Sequence, residues 1–200
     1  MKGYNKPIIA ILVILLLDQA VKTWVKTNMF IGQEFHLLKD IAIIHFTENN
    51  GMAFGMEFGG ELGKLALSLF RILAVAGIGY GLNYLIKHKY HRGLIMNVAF
   101  IFAGALGNII DSVFYGKIYD YAGYFHGRVV DMFYFPLLQG HFPTWLPIWG
   151  GEEYIFFRPV FNVADSAISI GVICILIYQK RYFKEEIKEK PSINSEVVEE

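Results

Sequence analysis

One cysteine stands in 200 residues, Cys174, set in an apolar run with Ile173, Ile175 and Leu176. That excludes an intramolecular disulfide, and the residue reads as a small buried or lipid-facing hydrophobe. No small-residue lipobox ending in cysteine lies near the start, so the chain is not expected to be a lipoprotein itself. Neither sign of charge is in surplus: 18 basic and 18 acidic residues leave a formal net charge of zero, which removes the bulk-charge reason to expect nucleic-acid binding. The zinc-protease pattern HExxH, the nucleophile elbow GxSxG and a glycine-rich phosphate loop are all missing. His36, His45, His126 and His141 are scattered without ligand spacing and read as surface or interface residues. No metal and no cofactor is expected.

What the chain has is grease. Hydrophobic residues make up 54% and charged ones 18%, a balance that points to a membrane protein. A spanning helix needs roughly 20 mostly apolar residues, and four segments qualify: about 7–26, 65–86, 94–115 and 160–178. The second carries Arg71 and Asn83. The first resembles a secretory signal, but no small-x-small cleavage site follows it, so a retained helix is the better reading. Lys2 and Lys6 precede the first span, Lys87, Lys89 and Arg92 fill the middle turn, and Lys180, Arg181 and Lys184 follow the last. Both termini and that turn are therefore expected on the cytoplasmic side. Two long loops, about 28–63 and 116–159, then face outward. The first holds a strand-like run, Ile41–Phe46, that turns at Asn49-Asn50-Gly51. The second is dense in aromatics and proline (Phe133 to Phe135, Phe142, Trp145, Trp149) and is expected to lie at the water–lipid boundary. The expected fold is an all-α bundle of four transmembrane helices with a small extracytoplasmic β element and an aromatic-rich interfacial loop. It forms one domain over 1–184, and a charged tail follows over 185–200.

Carboxylates at membrane depth are costly and face a bundle interior or a wet cavity. This chain keeps four in or beside its spans: Asp18, Asp111, Asp131 and Asp165. The topology gathers all four toward the outer leaflet. Each has a bland account. Asp18 and Lys22, four apart on one helical face, form an ion pair. Asn162 and Asp165 read as a helix start, with Asn162 as cap. Asp131 pairs with Arg128 in a loop. Asn108 and Asp111 have the same spacing at the outer end of a helix, where the dipole disfavours an anion, and Gly104 and Gly107 before them let another helix approach. Two carboxyls within hydrogen-bond reach share a proton, and the pair can activate water for amide hydrolysis. A proton relay or a helix-gluing scaffold would use the same acids. A relay should spread them across the bilayer, which this chain does not do. The residue pattern alone does not choose the pair.

Five stretches in order resemble the lipoprotein signal peptidase (signal peptidase II) family of bacterial inner-membrane aspartyl proteases. They are Asp18-Gln-Ala-Val-Lys22, Asn49-Asn-Gly-Met-Ala-Phe54, Gly104-Ala-Leu-Gly-Asn-Ile-Ile-Asp111, Gly127-Arg-Val-Val-Asp131 and Phe161-Asn-Val-Ala-Asp165-Ser. The resemblance covers about 7–180. It implies Asp131 and Asp165 as the catalytic dyad, with Asn49, Gly51, Asn108, Asp111, Arg128, Asn162, Asp18 and Lys22 in supporting or substrate-binding roles. It implies a diacylglyceryl-prolipoprotein substrate cut just before the lipid-modified cysteine, membrane lipids as neighbours and a monomer. The family usually has arginine directly after the aspartate of the third motif, where this chain has Ser112; Arg128 is the candidate to supply that charge. The aromatic loop looks enlarged, and whether it forms a lid or a lipid-facing platform is left open by its residues.

Overall fold

The computed structural model describes residues 3–39, 41–50, 60–156 and 159–183. Gly51, with the rest of the segment 51–59, lies outside the described residues, and so does the tail from 184 onward.

Helix α1 (Asn5–Asn28) leads into strands β1 (Glu34–Leu38) and β2 (Ala42–Asn49), then α2 (Gly60–Lys87) and α3 (Arg92–Ile110). A π-helical turn, Asp111–Tyr115, prolongs α3 into the three-residue α4 (Gly116–Ile118). Strands β3 (Val129–Tyr134), β4 (Leu138–His141), β5 (Glu153–Phe156) and β6 (Val160–Phe161) precede α5 (Val163–Tyr182). Among the described residues, four helices are long and apolar enough to cross a membrane. The fourth starts later than its hydropathy suggests. Val160 and Phe161 pair with β3, and Asn162 caps α5 at Val163.

The central helix is α3, which packs against α5, α1 and α2. The outer faces of the others carry their largest apolar side chains: Leu16 of α1, Leu73 of α2 and Leu176 of α5 are 70%, 72% and 61% exposed. In water this would be one large exposed apolar patch; in a bilayer it is the lipid contact.

Close helix approach is set by two glycines of α3. A Cβ on Gly104 would overlap the carbonyl oxygen of Ala164 in α5 and stand 2.8 Å from Ile168. One on Gly107 would stand 2.6 Å from Asp18 Oδ2. Backbone cannot step aside as a side chain can, so Gly104→Ala is expected to cost about 1–3 kcal/mol by overpacking. The check is a thermal midpoint in detergent several degrees below wild type; an unchanged midpoint would mean that α5 is free to slide.

The sheet closes one end of the bundle. Its order is β1-β2-β3-β6, every pair antiparallel. The strand expected at Ile41–Phe46 is β2, and it runs on to Asn49 with an irregularity between Ile44 and Thr47. Asp131, expected in a loop, stands inside β3 opposite Thr47. Side chains alternate along a strand. Val130 and Met132 therefore pack with Val25, Met29, Phe46 and Tyr115, and Asp131 points the other way. The hairpin β4–β5 is a separate sheet, with Phe142 against Trp149 and Tyr154.

Candidate active site

Lys22 is the centre of the polar cluster. Its side chain is fully buried, and its ammonium stands 2.9 Å from Asp18 Oδ2, 2.8 Å from Asp111 Oδ2 and 2.9 Å from Asn108 Oδ1. Three N–H donors meet three acceptors. The expected pair of Asp18 and Lys22 is therefore present, and Asp111 is its third member. That contact offsets the unfavourable end of the helix dipole at Asp111. The π turn that begins there belongs to a class of distortion common at functional sites.

Asp18 also joins two helices. Its Oδ1 accepts from the backbone N–H of Ala164 at 2.9 Å, in the first turn of α5, where the dipole favours an anion. Gln19, which sequence reasoning quoted only as part of a motif, donates to Asp18 (3.1 Å) and Asp111 (3.0 Å) and accepts from Tyr115 (3.2 Å).

From Lys22 the network passes to the two remaining acids through asparagines. A lysine can only donate, so the Asn108 carbonyl faces it and the Asn108 amide N–H is turned outward. That amide donates to Asp165 Oδ1 at 2.8 Å. Asn162 links the acids. Its side chain donates to Asp131 Oδ1 at 2.6 Å, and its backbone N–H donates to Asp165 Oδ2 at 3.3 Å. Its own carbonyl caps Asp165 N–H, completing the capping box expected for this helix start. Asn49, at the end of β2, donates to the other oxygen of Asp131. Burial first, then the charge of Asp165, pushes the Asp131 carboxyl up to about 7, against the pull of its asparagine donors and Lys22.

Arg128 is not part of this cluster. Its guanidinium lies half-exposed near Glu48 (3.7 Å) and over the Tyr121 ring, and among the described residues it forms no ion pair with Asp131. Glu48 is also held by Lys26, whose ammonium sits over Tyr121. The cation that does reach the site is Arg71 of α2, 3.4 Å from Ser112 Oγ. Its signal in the sequence was a lone charge in an otherwise apolar span.

A membrane bundle that gathers its acids into one buried, amide-lined cluster has the frame of an aspartic-type membrane protease, and comparison with known proteins agrees. The model of the family described as "Signal peptidase (SPase) II" matches residues 10–181. Among relatives, the lipoprotein signal peptidase of Porphyromonas gingivalis is 50% identical over 192 residues, covering 87% of this chain and 83% of its own. That of Amoebophilus asiaticus is 37% identical over 186 residues, covering 88% and 78%. A solved bacterial membrane enzyme, determined in meso at 2.3 Å, superposes with a TM-score of 0.63 at 27% identity, over 93% of this chain and 95% of its own. The chain belongs to the signal peptidase II family, and it is a protease of the aspartic type.

Proposed function

We propose that this protein removes the signal peptide of prolipoproteins that carry diacylglycerol on their lipobox cysteine, cutting just before that cysteine, with Asp131 and Asp165 as the catalytic dyad. The observation that carries this reading is Asn162, which hydrogen-bonds one acid through its side chain and the other through its backbone. Asp131, the acid whose proton affinity is raised, holds the shared proton, and Asp165 takes a proton from water. The hydroxide so formed adds to the scissile carbonyl, whose oxygen is hydrogen-bonded by Asp131. Collapse of the adduct breaks the C–N bond as the amine nitrogen takes the proton that Asp165 removed from water, which returns the pair to its starting state. Asn108, Asn49 and Asn162 hold the two carboxyls, and the pair of Asp18 and Asp111 on Lys22 holds Asn108.

The protein is read as a monomer in the bacterial inner membrane, in contact with lipids and not with nucleic acid. It forms one membrane-embedded domain to about residue 184, with a charged tail over 185–200. Lys6, Lys89, Arg92, Lys180 and Arg181 lie at the end away from the sheet, which supports cytoplasmic termini and a dyad near the outer leaflet. The β4–β5 hairpin, with Trp145 and Trp149 largely exposed, is read as the interfacial platform on which a substrate's acyl chains rest.

The test is cleavage by the purified protein in detergent of a diacylglyceryl-modified precursor beside the same precursor unmodified. Release of signal peptide from the modified form alone is expected. No cleavage, or equal cleavage of both, rejects the substrate assignment. The same assay reads pH. A proton held with an affinity near 7 is lost as pH rises through that value, so kcat/KM is expected to fall on that side, with apparent values that belong to the pair. Stability carries the same sign. Between the ordinary carboxylate range and about 7 the folded state binds more protons at Asp131 than the unfolded state does, so this residue makes stability fall as pH rises. Asp131→Asn should flatten that slope in thermal melts; an identical slope in the variant would contradict the assignment.

A further inference from the structure

We propose that Arg71 is the charge-balancing residue of the aspartate pair: seated against Ser112 by α2, its guanidinium supplies the positive charge that keeps one of the two carboxyls ionised. The inference deepens the dyad reading and rests on it.

The position of Arg71 is built by its own helix face. One turn before it, Ser68 Oγ donates to the carbonyl of Phe125 at 2.9 Å. One turn after it, Val75 packs with Ile109 and Val113 beside the π turn, and Ile72 joins the same cluster. Between these anchors the guanidinium meets Ser112 Oγ, which is buried and itself donates to the Asn108 carbonyl at 2.9 Å. Asn108 is the residue whose amide holds Asp165. Arg71 is thus joined to Asp165 by three hydrogen bonds that run through Ser112 and Asn108.

Charge counting says why it is needed. Among the described residues, the charged groups around the dyad are Asp18 and Lys22 from α1, Asp111 from the π turn and Arg71 from α2. Lys26, Glu48 and Arg128 form a separate cluster. Lys22 is spoken for by Asp18 and Asp111, each within 3 Å. If the four carboxyls hold one proton, three negative charges remain, and Lys22 alone leaves two of them unmatched at membrane depth. Arg71 matches one more. Position 112, where the resemblance implies arginine, holds a serine whose hydroxyl receives a guanidinium arriving from the neighbouring helix. Arg71 does not touch the reacting atoms; it is a positioning residue that acts through the pair.

The test is the pH profile of kcat in the cleavage assay for wild type, Arg71→Gln, Arg71→Lys and the exchange Arg71→Gln with Ser112→Arg. Removing a cation makes both carboxyls easier to protonate, so both limbs for Arg71→Gln are expected about one pH unit higher. Arg71→Lys keeps the charge and should hold its limbs near wild type, with a lower rate because an ammonium lacks the planar fork. The exchange should bring the limbs back. A merely structural arginine would lower the thermal midpoint without moving either limb. Unmoved limbs in Arg71→Gln, or limbs displaced equally in Arg71→Lys, overturn the proposal. Should Arg71→Gln fail to fold, the exchange variant decides alone: limbs at wild type support the proposal and displaced limbs overturn it. Wild-type protein that cleaves no lipidated precursor would sink the dyad reading itself, whereas wild-type cleavage with unmoved variant limbs sinks only this inference.

Discussion

Asp131→Asn and Asp165→Asn are each expected to lower cleavage of the lipidated precursor by about 10³-fold, the middle of the range that positioned acid–base groups contribute. An amide neither takes a proton from water nor gives one to a leaving group, so either change removes the sharing on which the pair depends. The change is not silent structurally. Both oxygens of Asp131 accept from amide donors, Asn162 on one side and Asn49 on the other. An asparagine there must present its own N–H₂ to one of them, so one hydrogen bond is lost. The packing beneath is untouched, because Val130 and Met132 hold β3 from the opposite face. The variants should therefore insert and melt cooperatively while remaining inactive, as read by far-ultraviolet circular dichroism beside the cleavage gel. Residues that act as one unit do not add. The double variant is thus expected to be no slower than either single one. A single variant within tenfold of wild type would take that aspartate out of the chemistry.

Much of this architecture was legible because lipid imposes a simple rule. A stretch of apolar residues long enough to span is visible in composition alone, and all four helices were placed that way. The order of spans and loops also put the four acids at one end of the bundle, where the polar cluster is found. The sheet was less visible. Strand β2 carries the β-branched pair Ile43 and Ile44, but β3 carries a carboxylate in the middle of a buried strand, which hydropathy reads as a loop. Strand β6 has only two residues and was absorbed into the fourth span. Within the site, pairs close in sequence were readable from helical spacing: Asp18 with Lys22, Asn162 with Asp165. Contacts made across the bundle were not. Nothing in the local sequence says that Asn108 turns its carbonyl to Lys22, that Gln19 bridges two acids, or that the cation beside Ser112 comes from α2. Arg128 was preferred for that place because it is near Asp131 in the chain. The fold instead sends it toward Glu48.

Lys22→Met is expected to produce the largest loss of stability of any single change in the cluster. Two carboxylates, Asp18 and Asp111, are buried against this ammonium with 1% and 0% of their side chains exposed. Breaking a buried ion pair by removing one partner costs about 3–5 kcal/mol, because the other charge stays behind without compensation. Here two charges stay behind, so the effect should lie at the upper end of that range. It should also shrink as pH is lowered, since a neutral carboxyl needs no counter-ion. Asp18→Asn alone should cost less, about 1–2 kcal/mol. The carbonyl of an asparagine can still accept from Ala164 N–H at the start of α5, and Lys22 keeps Asp111 and Asn108. The decisive comparison is Lys22→Met combined with Asp18→Asn and Asp111→Asn. With no charge left to bury, most of the lost midpoint should return. Activity should not return with it. Without Lys22 the Asn108 carbonyl keeps only the longer hydrogen bond from the Asn162 amide at 3.2 Å, so its N–H is held less firmly toward Asp165 and the base of the dyad loses support even in a protein that folds well. Recovery of stability and cleavage together would mean that Lys22 serves only to hold the helices. Recovery of stability alone would place it in the chain of contacts that orients the dyad.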